Sequence, residues 1–145
     1  MMRKYVFEIE PVQQQRPRAT RMGRSIRMYD PIRVATYKKA LHRLGTIQHK
    51  GKPFDCALDA RFTFYRAIQK STSKKRRALK ISGEIVPTVK PDASNYLKAA
   101  EDALNGVIWT DDAKLVEVTA VKRYSEVPRV ELEIREHGGQ HESDD

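Results

Sequence analysis

Acidic side chains and a lysine are concentrated between Lys90 and Asp112. Asp92 stands just before a predicted helix, and Asp111-Asp112 follows a short apolar run that could return the chain to the same end of that helix. Hard cations such as Mg²⁺ prefer oxygen ligands and bind through one or two carboxylates plus substrate phosphates. Two such ions, about 3.5–4 Å apart, stabilise the attacking and the leaving oxygen of a phosphodiester. The segment therefore indicates metal-assisted phosphodiester cleavage.

The predicted helix within this segment has an apolar face and a polar face. Ser94 is its predicted N-cap and the pair Asn105-Gly106 its predicted end, because serine caps helices and Asn-Gly suits a left-handed C-terminal residue. At 100° per residue, the polar face groups Ser94, Lys98, Glu101 and Asp102. Lys98 would stabilise the charge of the transition state or position the attacking water.

Each of these residues also has a purely structural interpretation. Asp92 and Ser94 are able to cap the helix without binding a ligand. Asp111-Asp112 suits a turn, and Lys98 with Asp102 has the spacing of an ordinary surface ion pair. Spacing alone leaves the catalytic and the structural interpretation open.

The chain carries a surplus of positive charge that is unevenly distributed. Its 145 residues have a net charge of +9. Residues 1–90 hold 22 basic and 6 acidic side chains, a net charge of +16, whereas residues 91–145 hold 6 basic and 13 acidic ones, a net charge of −7. Because each cation that neutralises a phosphate releases counterions, nucleic acid is the first candidate partner. A basic surface that serves only solubility is the alternative.

Two segments contain the basic side chains that are the best candidates for DNA contacts. Residues 12–29 lack apolar periodicity and are predicted to be a basic loop, and residues 68–80 are predicted to be a mobile loop or a short exposed helix. The candidate DNA-contacting residues are Arg16, Arg18, Arg21, Arg24, Lys74, Lys75, Arg76 and Arg77. A solvated surface run is the alternative for both segments.

Hydrophobic periodicity predicts a single α+β domain over residues 1–135, with a mixed sheet of about five strands and two packed helices. The metal site is expected at the start of the second helix. The strands are predicted at 4–10, 58–65, 107–109, about 114–123 and 129–135. Asp30 as N-cap and Pro31 as the first helical residue predict a first helix over about 31–44. An acidic tail from Glu136 on is predicted to be disordered.

Composition excludes several other classes of protein. The single cysteine, Cys56, cannot form an internal disulfide, and a cysteine-rich zinc site is excluded. No apolar run approaches the ~20 residues of a membrane span, so we expect a soluble, intracellular protein without a membrane partner. Trp109 and Tyr124 are predicted to be core residues, and no role is assigned to the histidines.

The longest motif of the chain reads KPDASNYLKAAEDALNGVIWTDDAKLVEV. It resembles the RusA-type Holliday junction resolvases of bacteria and their phages, whose pattern is Lys-Pro-Asp-x-Asp-Asn, a lysine three residues after the Asn, Asp-Ala-Leu-Asn-Gly and a closing Asp-Asp. The stretch Gln15-Arg16-Pro17-Arg18 with Tyr29, and the run Ser73-Lys74-Lys75-Arg76, look like the basic loops of this family. The resemblance implies a cytoplasmic, homodimeric endonuclease, dependent on Mg²⁺ or in its place Mn²⁺. Such an enzyme binds four-way DNA junctions and nicks two opposing strands.

The resemblance also implies roles for individual residues. Asp92 matches the family's first catalytic aspartate, Asp112 its last, and Lys98 its essential lysine. Asp111 is the neighbouring acid of the closing pair. Ser94 stands where most members carry a second catalytic aspartate, and a hydroxyl is only a weak, neutral ligand.

Two explanations of Ser94 stay open. One is that catalysis is weakened or absent, so that the protein only binds branched DNA. The other, which we favour, is that Glu101 lies two turns along the same face and reaches back to supply the missing charge, since helix side chains lean toward the N-terminus. The candidate metal ligands are then Asp92, Ser94, Glu101, Asp111 and Asp112. A general basic nucleic-acid-binding domain with a structural acidic cluster is a third interpretation.

Overall fold

Four strands form one mixed sheet, and two further strands form a separate hairpin. The computed structural model describes residues 1–138. Its elements are β1 (Met2–Phe7), β2 (Arg18–Met22), β3 (Ser25–Tyr29), α1 (Ile32–Gln48), β4 (Leu58–Ala67), α2 (Lys74–Ser82), α3 (Ala93–Leu104), a 3₁₀ turn (Asp112–Lys114), β5 (Leu115–Ser125) and β6 (Arg129–Glu136). The α+β class that the sequence predicts is confirmed.

The order of the strands in the sheet is β1-β6-β4-β5. Both β1 and β4 pair with β6 in antiparallel fashion, whereas β4 and β5 are parallel. Phe62 of β4 lies opposite Leu132 of β6, and both side chains are fully buried. Since successive side chains of a strand point to opposite faces, Arg61 stands on the other face of the sheet. The strand predicted at 58–65 is therefore confirmed.

Helices α1 and α3 pack against one another and against the apolar face of the sheet. Leu41 on α1 and Leu104 on α3 are fully buried in this core. Trp109 lies in the same core, edge-on to the ring of Phe62 with 6.4 Å between the ring centroids. The prediction that Trp109 is a core residue is confirmed.

The predicted end of the first helix, before Gly45, is wrong. Helix α1 continues to Gln48, and Gly45 is buried inside it. A Cβ atom at Gly45 would stand 2.7 Å from Cδ2 of Leu104 on α3. This glycine therefore allows two helices to approach one another closely, and it does not end a helix.

Both predicted N-caps are also wrong. Helix α1 begins after Pro31, and the carboxylate of Asp30 accepts a hydrogen bond from Lys38 instead of capping the helix. Helix α3 begins directly after Asp92, whose backbone has the extended ψ of 152° that an N-cap requires. Ser94 already lies within the first turn of α3.

Two segments differ from their predicted structure. Residues 12–29, predicted to be a loop, contain the hairpin of β2 and β3. The run from Lys74 forms the short exposed helix, one of the two alternatives for residues 68–80, so residues 1–138 contain a third helix besides the two packed ones. The predicted strand at 107–109 makes only isolated bridges, because the amide of Gly106 donates to the carbonyl of Trp109 at 2.8 Å and closes a tight turn. The main sheet therefore has four strands.

The C-terminal end of the described chain is tied to the sheet. Glu136 is the last residue of β6, and the amide of His137 donates to the carbonyl of Ala57 at 2.9 Å. The predicted tail thus begins inside a strand, and residues 139–145 lie outside the described residues. Within the described range, no helix combines the length and the apolar composition that crossing a membrane demands.

Candidate active site

Two cations of the sheet fix the segment that leads into α3. Lys122 of β5 donates to the carbonyls of Val89 and Pro91, each at 3.0 Å. Arg66 of β4 donates to the carbonyl of Lys90 at 2.8 Å. These hydrogen bonds hold the backbone of residues 89–91 against the sheet. The start of α3 is therefore positioned by the two parallel strands.

The residues of the first half of α3 that the sequence singles out are exposed. Asp92 is the N-cap by its backbone, but its carboxylate makes no capping hydrogen bond. Within residues 1–138, Lys98 forms no ion pair, because the carboxylate of Asp102 pairs with Lys38 at 3.1 Å instead. Asp92, Ser94 and Lys98 all face solvent. The surface ion pair between Lys98 and Asp102 is therefore not formed.

The second half of α3 brings Glu101 close to the carboxylate of Asp112. Burial raises the pKa of Glu101 above its ordinary value, and the negative charges of Asp112 and Asp102 raise it further. Burial also raises the pKa of Asp112, to which Asp102 and Asp111 contribute in the same direction. Glu101 and Asp112 are thus half-buried carboxyl groups that exposed neighbouring carboxylates repel.

Trp109 positions the last of these carboxylates. Its indole Nε1 donates to Oδ1 of Asp112 at 2.7 Å, and this hydrogen bond partly offsets the rise in the pKa of Asp112. Oδ2 of Asp111 accepts from the amide of Ala113 at 2.9 Å and so caps the 3₁₀ turn. The turn interpretation therefore applies to Asp111, whereas the carboxylate of Asp112 is held by a buried side chain.

Lys38 is a charged residue of this region that the sequence reasoning missed. Its ammonium group donates to Asp30 at 2.8 Å and to Asp102 at 3.1 Å. Burial would lower the pKa of Lys38, but the two carboxylates outweigh burial and raise it. The sequence did contain a signal for Lys38, because this charged residue stands on the apolar stripe of α1, four residues after Val34 and three before Leu41.

The donor set of the second half of α3 fits a hard divalent cation. Glu101, Asp102, Asp111 and Asp112 offer only carboxylate oxygens. A bound cation would relieve the repulsion that raises the pKa values of the half-buried Glu101 and Asp112. Asp92 and Ser94 lie two turns or more away along α3. The contacts of the described residues therefore group the acids of the second half of the helix.

A second group of residues that could bind a metal lies at the opposite face of the sheet. One ligand atom each of Asp59, Glu117 and His137 lies within 4.8 Å of the others. Nδ1 of His137 is 2.7 Å from Oδ1 of Asp59, and Arg135 lies 3.6 Å from the other oxygen of Asp59. The charge of Asp59 is therefore already compensated. No sequence motif pointed to these three residues.

The candidate DNA-contacting residues occupy two separate surfaces. Arg16, Arg18, Arg21 and Arg24 are all exposed, on or beside the hairpin of β2 and β3. Lys74, Lys75 and Arg76 are exposed in the first turn of α2. Arg77 differs, because it donates to the carbonyl of Gln69 at 3.2 Å and lies 3.8 Å from Glu126.

A cleft of about 160 Å³ opens beside the start of α3. Pro91 and Tyr96 line it on the side of the helix, and Arg33 and Arg66 contribute two guanidinium groups. The other lining residues are Glu10, Pro11, Val12, Gln13 and Gln15. The cleft thus brings Arg33 and Arg66 together beside Pro91, a grouping that the sequence did not predict.

The fold and the site together define an α+β domain with a half-buried carboxylate cluster and basic surfaces, a combination suited to a nuclease. The family described as "Endodeoxyribonuclease RusA" matches residues 8–135. "Uncharacterized protein YqaN" of Bacillus subtilis (strain 168) is 38% identical over 138 residues, which cover 92% of this chain and 95% of that protein. The chain belongs to the RusA endodeoxyribonuclease family, and the resemblance seen in the sequence is confirmed. This membership supports a DNA nuclease.

Proposed function

We propose that this protein is a metal-dependent endonuclease that binds four-way DNA junctions as a homodimer and nicks two opposing strands. The proposal rests on the pair Glu101 and Asp112, two half-buried carboxyl groups whose pKa values are raised. No cation of residues 1–138 forms an ion pair with either of them. Membership in an endodeoxyribonuclease family supports the DNA substrate.

The candidate metal ligands divide by the strength of their donor atoms. Asp92, Glu101, Asp111 and Asp112 would provide carboxylate oxygens, whereas Ser94 would provide only a hydroxyl group. When bound, Mg²⁺ or Mn²⁺ supplies a Lewis acid for the phosphodiester and a more acidic water. The indole of Trp109 orients Asp112 for this task.

Lys98 has a separate role in the proposal. Its ammonium group is exposed and forms no ion pair within residues 1–138. A cation next to a phosphate stabilises the negative charge that develops on the phosphate oxygens in the transition state. Lys98 therefore binds the scissile phosphate from the exposed side of α3.

The first turn of α2 supports a contact with DNA. Lys74, Lys75 and Arg76 stand at the positive end of the helix dipole, and this turn contains no acidic residue. Cations at this end destabilise a helix by roughly 0.3–1 kcal/mol each. The same arrangement combines side-chain cations with the N-terminus of a helix, which suits a phosphate group. Two such surfaces in a dimer would meet a junction that has two-fold symmetry.

A labelled synthetic four-way junction tests the proposal. With Mg²⁺ or Mn²⁺ we expect paired nicks at symmetric positions, and with a chelator or Ca²⁺ we expect binding without nicks. Asp92→Asn should abolish the nicks and keep the binding in Ca²⁺, because the residue is exposed and no buried contact depends on it. The matched control is Glu8→Gln, an exposed carboxylate outside the site, which should cleave like the wild type.

Ser94 favours a second candidate, a branched-DNA-binding protein without catalysis. The residue is exposed in the first turn of α3 and brings no charge to the site. A mobility shift of the junction without nicks in any metal would support this candidate. Equal affinity for the junction and for linear duplex would contradict both candidates and favour a general nucleic-acid-binding domain.

A further inference from the structure

The hairpin of β2 and β3 projects from the domain. Every residue from Arg16 to Tyr29 is exposed, and β2 and β3 pair only with each other. A two-stranded hairpin is only marginally stable by itself in water. A ribbon of this kind gains stability when a partner covers one of its faces.

Both ends of the ribbon are tied to α3, the helix of the candidate site. The amide of Gln14 donates to the carbonyl of Asn95 at 2.9 Å. The side chain of Gln14 donates to Asp30 at 3.0 Å, which joins the two ends of the ribbon. Lys38 then connects Asp30 to Asp102. The ribbon therefore emerges on the side of the domain that carries the candidate site.

The two faces of the ribbon differ in composition. Directly opposed residues of an antiparallel pair share a face. One face carries the pairs Arg18 with Tyr29, Thr20 with Arg27, and Met22 with Ser25. The other, the apolar ribbon face, carries the pairs Ala19 with Met28 and Arg21 with Ile26. On it Ile26 is 68% exposed and Met28 60% exposed.

Charge indicates what occupies this face. Residues 16–29 contain five arginines and no acidic side chain, which favours a polyanion. In the grooves of a base-paired duplex, thymine methyl groups are almost the only apolar contacts available to apolar side chains. Unstacked bases, in contrast, expose apolar ring faces, and isoleucine and methionine are among the side chains that insert between base steps. Where the arms of a branched DNA meet, the continuous stack of a duplex is interrupted, so a protein unstacks bases there at a lower cost than within a duplex.

We propose that Ile26 and Met28 contact the faces of unstacked bases at the branch point of the DNA, while the arginines of the ribbon bind the flanking phosphates. This inference rests on the proposed function, and it names the part of the branched DNA that the ribbon recognises. Because the ribbon is anchored on α3, contact at the branch point places the adjoining strands next to the candidate site.

The test uses a four-way junction that carries 2-aminopurine at the branch point, in Ca²⁺ so that no strand is cut. Binding of the wild type should raise the 2-aminopurine fluorescence, since the base loses its stacking. Ile26→Ser/Met28→Ser should reduce this rise at least fivefold and weaken junction binding about tenfold, with less than a twofold change for linear duplex. Ile26→Leu/Met28→Leu, which keeps the face apolar, should restore the rise.

Matched controls separate the possible failures. Ile47→Ser/Val127→Ser removes two side chains of similar exposure elsewhere and should behave like the wild type. An unchanged fluorescence rise in the serine variant would overturn the inference, as would equal losses for junction and duplex. A changed sedimentation coefficient of the free serine variant would identify the face as an interface between copies and would also overturn it. If wild-type protein does not bind the junction at all, the proposed function itself fails.

Discussion

The indole nitrogen of Trp109 lies 2.7 Å from Oδ1 of Asp112, so a fully buried side chain of the core fixes a carboxylate at the surface. The turn over residues 105–109 places the ring between the sheet and the candidate site. The same side chain, Trp109, therefore packs in the core and orients the carboxylate of Asp112. Since Trp109 is the single tryptophan of the chain, tryptophan fluorescence reports on the surroundings of this indole.

The first prediction uses this reporter to locate the metal. Mn²⁺ should quench the fluorescence of Trp109 in the wild type, because the ion would bind the carboxylate that the indole contacts. Asp112→Asn should lower the apparent Mn²⁺ affinity about tenfold or more, since it removes a charged ligand. The control is Asp59→Asn, which alters the second group of possible metal ligands, Asp59, Glu117 and His137. If Asp59→Asn abolishes the quenching and Asp112→Asn does not, the metal binds at the other face of the sheet.

The second prediction concerns the charge that Ser94 does not supply. Glu101→Gln keeps the size of the side chain and should lower metal-dependent junction cleavage at least tenfold. In the absence of metal the same variant should be more stable to urea at pH 7 than the wild type, because a carboxyl group with a raised pKa is destabilising when ionised. Adding Ser94→Asp to the Glu101→Gln variant should restore cleavage. Full cleavage by Glu101→Gln, together with none by Asp92→Asn, would contradict compensation by Glu101.

The third prediction separates the cations of α2. Lys74→Gln/Lys75→Gln/Arg76→Gln should make the slope of log affinity against log salt shallower by about 2–3, because each lost phosphate contact accounts for about 0.9. Arg77→Gln should change the slope less, since Arg77 is held by the carbonyl of Gln69 and by Glu126.

The matched control for the cations of α2 is Arg43→Gln/Lys50→Gln/Lys52→Gln. It removes three exposed cations from other parts of the chain and should leave the slope unchanged. A slope that the α2 triple variant does not alter would exclude the first turn of α2 from the DNA contact.

The fourth prediction follows from the ion pair at the base of the ribbon. The hydrogen bond from Lys38 lowers the pKa of Asp30 below its ordinary value, although partial burial opposes this. A lowered pKa in the folded state stabilises the protein above the pKa of the unfolded chain, and the contribution is lost as the pH falls through the folded value. Asp30→Asn should therefore cost about 1 kcal/mol between pH 5 and 7, and this cost should shrink from about pH 5 to pH 3. Urea unfolding at pH 7, 5 and 3.5 measures it.

The corresponding control is Glu8→Gln, because Glu8 is exposed and forms no ion pair within residues 1–138. Its stability should follow that of the wild type at each pH. A difference between Asp30→Asn and the wild type that stays constant down to pH 3 would show that the carboxylate contributes no charge interaction with Lys38.

Local patterns predicted those parts of the fold in which burial alternates along the chain. The strand around Phe62 is one, because its neighbours alternate between core and solvent. The hairpin of β2 and β3 could not be found in this way, since all of its residues are exposed and no apolar period marks it. The helix over Lys74–Ser82 has no buried residue either. Elements without a buried face leave no hydrophobic period in the sequence.

Part of the candidate site was also predictable from the sequence. The polar face of α3 followed from helical spacing, and Glu101 does lie close to Asp112. The orientation of Asp112 by Trp109 depends on a turn that brings an indole and a carboxylate together, and no local pattern encodes that contact. The pairing of Lys38 with Asp102 joins residues 64 positions apart, so it required the packing of α1 on α3.

The fifth prediction tests that packing at Gly45. Gly45→Val should destabilise the protein by about 2 kcal/mol, because a Cβ atom there stands 2.7 Å from Cδ2 of Leu104 and the buried leucine has little room to move. Helix propensity changes the stability by only a few tenths of a kcal/mol in this exchange, and in favour of valine, because glycine is itself a poor helix residue. The loss of stability therefore measures the contact between α1 and α3. Thr46→Val introduces the same side chain at the next, exposed position and should change the stability by less than about 0.5 kcal/mol. Urea unfolding of both variants compares them, and equal stabilities would mean that the two helices do not approach one another at Gly45.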